Sequence, residues 1–254
     1  MSVLDIRSRD NAQFKDLRRL AQDNGAYRRQ GRVFVEGDHL CRAALARGWR
    51  PAQLVCAERA VDAASVLALD PAVPQLRLAD ALWAQLSVLE SPAGFGLVLA
   101  LPQDPPLQPG AATVVLDRLQ DAGNVGSILR SAAAFGFRQV LALRGTAGLW
   151  SPKVLRAGMG AHFGLRLIEG AAEDDVVALQ VPLVATSSHH GGWLHEAAPP
   201  HPCAWLLGHE GQGVSPGLLA RAASTIRIRQ PGGEESLNVA AAAAICLHAS
   251  AAPD

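Results

Sequence analysis

ATVVLDRLQDAGNVGSILRSAAAFGFRQVLAL, residues 112–143, decides the fold. An apolar, β-branched run (ATVVLD, 112–117) stops at an aspartate, a polar loop follows, and a helix begins near Asn124. A second apolar run, QVLAL (139–143), returns after Gly136. Two strands without polar alternation, joined by a helix, are the pattern of a mostly parallel sheet buried on both faces. The alternation continues with strands expected at PLVATS (182–187), CAWLLG (203–208) and TIRI (225–228), and an Ala-rich helix closes the chain at SLNVAAAAAICLHAS (236–250).

Upstream, PQDPPLQPG (102–110) packs four prolines and a glycine into nine residues, which suits a semi-rigid spacer. Before it lies a smaller α/β unit. Phe14, Leu17, Leu20 and Ala21 recur at helical spacing between Asn11 and Gln22, with Arg and Lys on the other face. Strands are expected at 32–37, 53–57, 75–78 and 95–101, and helices at 39–48, capped by Asp38, 60–69 and 79–87. The expected division is 1–101, the smaller α/β domain, a linker at 102–111, and a larger α/β domain at 112–254.

Hydrophobic residues make up 49% and charged residues 18% of the chain, the balance of a globular protein with a packed core. No stretch approaches the roughly 20 apolar residues of a membrane span, and Met1–Leu20 is studded with Arg, Asp and Lys where a leader needs an apolar run. The expected location is the cytoplasm. Net charge is zero, yet 11 of the 23 Lys/Arg and only 6 of the 23 Asp/Glu fall in residues 1–50, so the basic surplus is N-terminal. With one Tyr and six Phe, composition marks no stacking platform for bases. Cys41, Cys56, Cys203 and Cys246 form no C-x-x-C pair, and His189, His190 and His195 lack the spacing of a helical zinc site, so no metal is expected.

Three segments carry the chemistry, each at the C-terminal end of an expected strand. The first (116–137) offers Asn124 as a helix cap with Arg118 and Arg130 as cations; the second, LLGHEGQGV (206–214), has Glu210 among three glycines; the third (226–245) runs through a Pro-Gly-Gly turn into a helix entered at Ser236 or Asn238. Singly, each reads as well as a cap or a turn. On one edge of one sheet they make a ligand site. GMGAHFG (158–164) imitates a dinucleotide fingerprint but follows a helix-like stretch where a strand is required.

In order, these segments resemble the three motifs of the SpoU (TrmH) family of RNA methyltransferases, in the SPOUT class: Asp117, Asp121, Asn124, Gly126 and Arg130; then Gly208, Glu210 and Gly213; then Ile228, Pro231, Gly233, Ser236, Leu237, Asn238 and Val239. The linking piece 151–165 and the N-terminal segments, similar to a ribosomal-protein-like substrate-binding domain, extend the resemblance over nearly the whole chain. Two departures stand out: Ala122 where the family usually has proline, and Arg229-Gln230 where it usually has Pro-Met. The resemblance implies a trefoil-knotted, mostly parallel sheet with helices on both faces, a homodimer without membrane attachment, and methyl transfer from S-adenosylmethionine to a ribose 2′-OH. Large-subunit rRNA is the expected partner ahead of tRNA. It assigns cofactor contacts to Thr186, Gly208, Ile228, Ser236 and Leu237, and catalytic roles to Arg130, Asn124, Glu210 and Asn238. An arginine is a reluctant base, so the role implied for Arg130 is to hold a phosphate and stabilise the developing alkoxide. Asn124 and Glu210 would orient Arg130 and the ribose, and Asn238 would fix the cofactor loop. The alternative is a catalytically silent RNA-binding or ribosome-assembly protein on the same fold.

Overall fold

In the computed structural model, which describes residues 3–196, 198–232 and 236–251, the chain forms two compact units, Met1–Gln103 with Trp150–Phe163 and Asp104–Leu149 with Gly164–Asp254. The first runs β1 (Val3–Ile6), α1 (Ala12–Gln22), α2 (Ala26–Gln30), β2 (Arg32–Glu36), α3 (Asp38–Ala46), β3 (Pro51–Ala57), α4 (Val61–Ser65), β4 (Gln75–Leu78), α5 (Asp80–Leu86) and β5 (Phe95–Ala100). Its sheet has the order β1-β4-β3-β5-β2, with β5 antiparallel to both neighbours. Asn11 caps α1 by accepting the N–H groups of Gln13 and Phe14 at 2.8 and 3.3 Å. The apolar stripe of that helix, Phe14, Leu17, Leu20 and Ala21, is buried against Leu82, Trp83 and Leu86 of α5. Each large side chain so buried contributes about 1.5–3 kcal/mol.

Two local expectations are corrected here. Gly37, at φ 91°, occupies the cap position of α3, because the chain leaves β2 through a left-handed backbone; Asp38 is the first helical residue and pairs with Arg42 one turn on. The helix expected at 60–69 is α4 alone, preceded by a 3-10 turn at Glu58–Ala60 and stopped before Ala68, whose φ is 47°.

The remaining elements are β6 (Thr113–Leu116), α6 (Ala122–Ala134), β7 (Gln139–Leu143), α7 (Pro152–Gly158), β8 (Arg166–Ala171), β9 (Leu183–Thr186), β10 (Gly192–Trp193), β11 (Ala204–Leu207), α8 (Pro216–Arg221), β12 (Ser224–Arg227) and α9 (Val239–Ala249). Helix α7 lies in the first unit, although the sequence reading counts it with the second. There the Trp49 indole donates to the Phe163 carbonyl at 3.1 Å. The glycines that imitate a dinucleotide fingerprint serve packing: a Cβ at Gly158 would meet the His162 ring at 2.3 Å.

In the second unit seven strands, all parallel, take the order β10-β12-β9-β11-β6-β7-β8. Strands β6, β7 and β11 are buried at every residue. Because side chains alternate across a strand, β11 shows how both faces are covered. Ala204 and Leu206 join the core that includes Val176, Leu179 and Leu218, whereas Trp205 donates its indole N–H to Ser250 Oγ, just past α9, at 2.8 Å. Residues 102–110 carry neither helix nor strand; buried Gln139 holds them by accepting the Gln108 N–H at 2.8 Å and donating to its carbonyl at 3.2 Å. All four cysteines are buried and free, and burial pushes the thiols of Cys41, Cys203 and Cys246 up to about 12.

Candidate active site

Parallel neighbours end at the same edge, so the order β12-β9-β11-β6 sets four strand exits side by side. Thr186 ends β9, Gly208 follows β11, and Ile228 follows β12. Thr186 Oγ1 donates to the Leu206 carbonyl at 3.0 Å, tying two of these exits together. Gly208 tolerates no side chain: a Cβ there would lie 2.1 Å from the backbone of Gly213 and Val214. The second loop therefore folds onto its own entrance, with the Gly213 N–H donating to the His209 carbonyl at 2.8 Å.

The cap of α6 is Asp121, a correction to the reading of Asn124. Asp121 Oδ1 accepts the Asn124 N–H at 2.7 Å, and Ala122 is the first helical residue. Proline is favoured at that position and alanine is well tolerated there, so the departure at Ala122 leaves the helix start intact. Relieved of capping, the Asn124 side chain is free to bridge. Its Nδ2 donates to Glu210 Oε1 at 3.3 Å, and its Oδ1 accepts from Asn238 Nδ2 at 3.0 Å. Asn238 in turn caps α9, its Oδ1 accepting the N–H groups of Ala240 and Ala241 at 2.9 and 3.3 Å. One polar chain, Glu210–Asn124–Asn238, thus joins all three segments. Partial burial pushes the Glu210 carboxyl up, but hydrogen bonds from its own N–H, Asn124 and the N–H groups of Asp121 and Gln120 together hold it below the usual value.

Beneath this chain lies a brace that sequence reasoning missed. Asp117, 1% exposed, accepts from Arg118 Nε at 2.8 Å and from the Ser215 N–H at 2.7 Å. Arg118, at φ 60°, also donates to Gln212 Oε1 at 3.0 Å, pinning the second loop to the first. The Asp117 hydrogen bond foremost, outweighing a small burial effect, raises the arginine pKa. A carboxylate at the end of an all-apolar strand was the available signal, since such a charge must find partners.

Arg130 is not part of either group. At 3.6 residues per turn it lies about 120° around α6 from Asn124, exposed, with no hydrogen bond or ion pair among the described residues. Asn124 and Glu210 therefore do not orient it directly. Ser236 and Leu237 are exposed at the entrance to α9, Leu237 at 38%. Gly233 of the third motif lies outside the described residues. Gln230 Oε1 is buried without a hydrogen-bond partner among the described residues, an acceptor available to a ligand beside Ile228.

Residues 111–248 match the family model described as the SpoU rRNA Methylase family, and residues 11–96 match an MRM3-like substrate binding domain. The chain is similar to an uncharacterized tRNA/rRNA methyltransferase of Synechocystis, 31% identical over 97% of this chain and 93% of that protein. It is 28% identical to the 23S rRNA (guanosine(2553)-2′-O)-methyltransferase of Bacillus subtilis over 96% of this chain and 97% of that one. Among solved structures, an AdoMet-bound rRNA methyltransferase from Sinorhizobium meliloti superposes with a TM-score of 0.83 at 26% identity, over 97% of both chains. Sequence and superposition agree: the chain belongs to the SpoU rRNA methylase family.

Proposed function

We propose that the protein is an S-adenosylmethionine-dependent RNA methyltransferase acting on a ribose 2′-OH of rRNA. The observation that carries this reading is the Glu210–Asn124–Asn238 chain, which holds three loops together at the C-terminal edge of a family-typical sheet. The site fits the cofactor: the backbone at Gly208 and Ile228, the unpartnered Gln230 acceptor and the exposed Leu237 supply polar and apolar contacts at one edge. Bound there, S-adenosylmethionine supplies an electrophilic methyl group on a sulfonium. Thr186 and Ser236 complete its surroundings in this reading.

The protein must make a weakly nucleophilic hydroxyl react. Arg130, with its guanidinium unengaged, takes the phosphate next to the target ribose and stabilises the oxyanion as the hydroxyl proton passes through that phosphate to solvent. Asn124 and Glu210 orient the ribose, and Asn238 fixes the entrance of α9 against them. Intact, this chain favours catalysis over silent RNA binding.

The same reading makes the molecule a cytoplasmic homodimer with a knotted path. Entry of β11 between β6 and β9, with α9 packed on α6, supports the knot. No helix among the described residues is long and apolar enough to cross a membrane. The units 1–101 and 112–254 are taken as substrate-binding and catalytic parts, joined by 102–111.

Transfer of labelled methyl to total rRNA and total tRNA, with mapping of the 2′-O-methyl position, tests the reaction. Arg130→Ala is expected to bind S-adenosylmethionine normally and to lose about 10²–10³ in turnover. Near-normal methylation by that variant would remove Arg130 from the mechanism, and label in neither pool would reject the function.

A further inference from the structure

Although composition marks no stacking platform, the fold builds one at the β10 edge of the second unit's sheet. Trp193 pairs with Arg227 in the parallel β10–β12 register. The Arg227 guanidinium carbon lies 3.9 Å from the centroid of the indole, and the group is anchored by the carbonyls of Gly191 at 2.9 Å and His189 at 3.3 Å. A structural role explains that contact fully. It does not explain Arg229, whose guanidinium carbon stands 5.6 Å from the same ring. Arg229 is exposed and has no hydrogen bond or ion pair among the described residues. His189 and His190, also exposed, present a second pair of rings 6.2 Å apart on the adjoining loop. Neither 187–195 nor 224–232 contains an Asp or Glu; Glu196, the next residue, is directed to His195 at 3.9 Å.

An unspent cation beside a pinned aromatic ring suits a partner with phosphates and flat bases. We propose that Trp193, Arg227 and Arg229 form an RNA contact. Arg229 takes a backbone phosphate of the strand flanking the target ribose, while Trp193, steadied by Arg227, stacks on an unpaired base. Ile228, a proposed cofactor contact, sits between the two arginines, which sets this contact beside the methyl donor. The inference rests on the RNA-methyltransferase reading and goes beyond it, since Arg229 stands where the family usually has proline.

The test measures affinity for large-subunit rRNA and for a fluorescein-labelled mixed-sequence RNA 20-mer across KCl concentrations, with S-adenosylmethionine affinity by calorimetry, for Arg229→Gln, Trp193→Leu and Trp193→Phe. Arg229→Gln is expected to weaken RNA binding roughly 5–10-fold near 0.1 M salt and to reduce the slope of log K against log salt by about 1. Trp193→Leu is expected to lose about fivefold or more at unchanged slope, with Trp193→Phe recovering most of it. Cofactor affinity should not move. RNA affinities within twofold of wild type for both residues overturn the proposal, as does a loss of cofactor binding with RNA binding intact, which would give the patch to the cofactor pocket. If Trp193→Leu fails to fold, the exposed Arg229→Gln variant decides alone. Failure of the underlying function is separate: the wild-type protein would then transfer no methyl group to RNA whatever the binding data.

Discussion

The first loop is joined to the second by two sets of contacts of opposite character. Asp117 with Arg118, Gln212 and the Ser215 N–H is built around a carboxylate 1% exposed to solvent. Glu210, Asn124 and Asn238 are polar side chains at the surface, joined by contacts of 3.0–3.3 Å. A buried charge is expensive to leave unpaired, so the first set fixes where the loops sit. Exposed amides exchange water for one another at little net gain, so the second set can turn toward a substrate. In the proposed mechanism, scaffold and chemistry are thus separated by burial within a few residues.

Asp117→Ala should break the scaffold. It removes the acceptor of a buried N–H and the partner of Arg118, and about 2–3 kcal/mol of stability should go with it, read as a lower melting temperature. A melting point unchanged by that substitution would erase the distinction between the two sets.

Asn238 sharpens the comparison because its two ends do different work. Asn238→Ala loses the α9 cap, about 1 kcal/mol, together with the contact to Asn124. Asn238→Asp keeps an oxygen to cap the helix but has no donor for Asn124. Its stability should stay near wild type while turnover falls about tenfold, the worth of one hydrogen bond of about 1.4 kcal/mol. Normal turnover in Asn238→Asp, with stability lost only in Asn238→Ala, would make Asn238 a cap and nothing more.

Glu210 gives the smallest effect. Its folded-state pKa lies below the ordinary 4.5, so its stabilising contribution is present above that value and is lost as pH falls through the lowered one. The difference in melting temperature between wild type and Glu210→Gln should therefore be small at neutral pH and vanish in acid. A difference that grows in acid would reverse the assigned direction.

Strands in the interior of each sheet were legible. QLRL and QVLAL match β4 and β7 residue for residue, and the four helix residues expected to face the core, Phe14, Leu17, Leu20 and Ala21, do so. Of the four sheet margins only β2, which buries Val33, Phe34 and Val35, was legible. Strands β1, β8 and β10 escaped notice because they bury few side chains: β1 buries only Ile6, β8 two of its six residues, and β10 is two residues long. The structure joins Asn124, Glu210 and Asn238 in one hydrogen-bonded chain and leaves Arg130 out of it, a division the sequence did not announce. Asp121 and Asn124 are both good caps, and only the path of the backbone decides that Asp121 serves and Asn124 bridges. Trp193 and Arg227 are brought together by a strand pairing across 34 residues, which no local pattern announces.

Arg227 has one more effect. An unpaired sheet margin invites another chain to add a strand, and β10 is that margin on one side of the second unit's sheet. The guanidinium hydrogen-bonds the carbonyls of Gly191 and His189, just before β10, and so seats a cation at the start of that margin. A stub of two residues, with a cation already seated on it, is a poor template for aggregation.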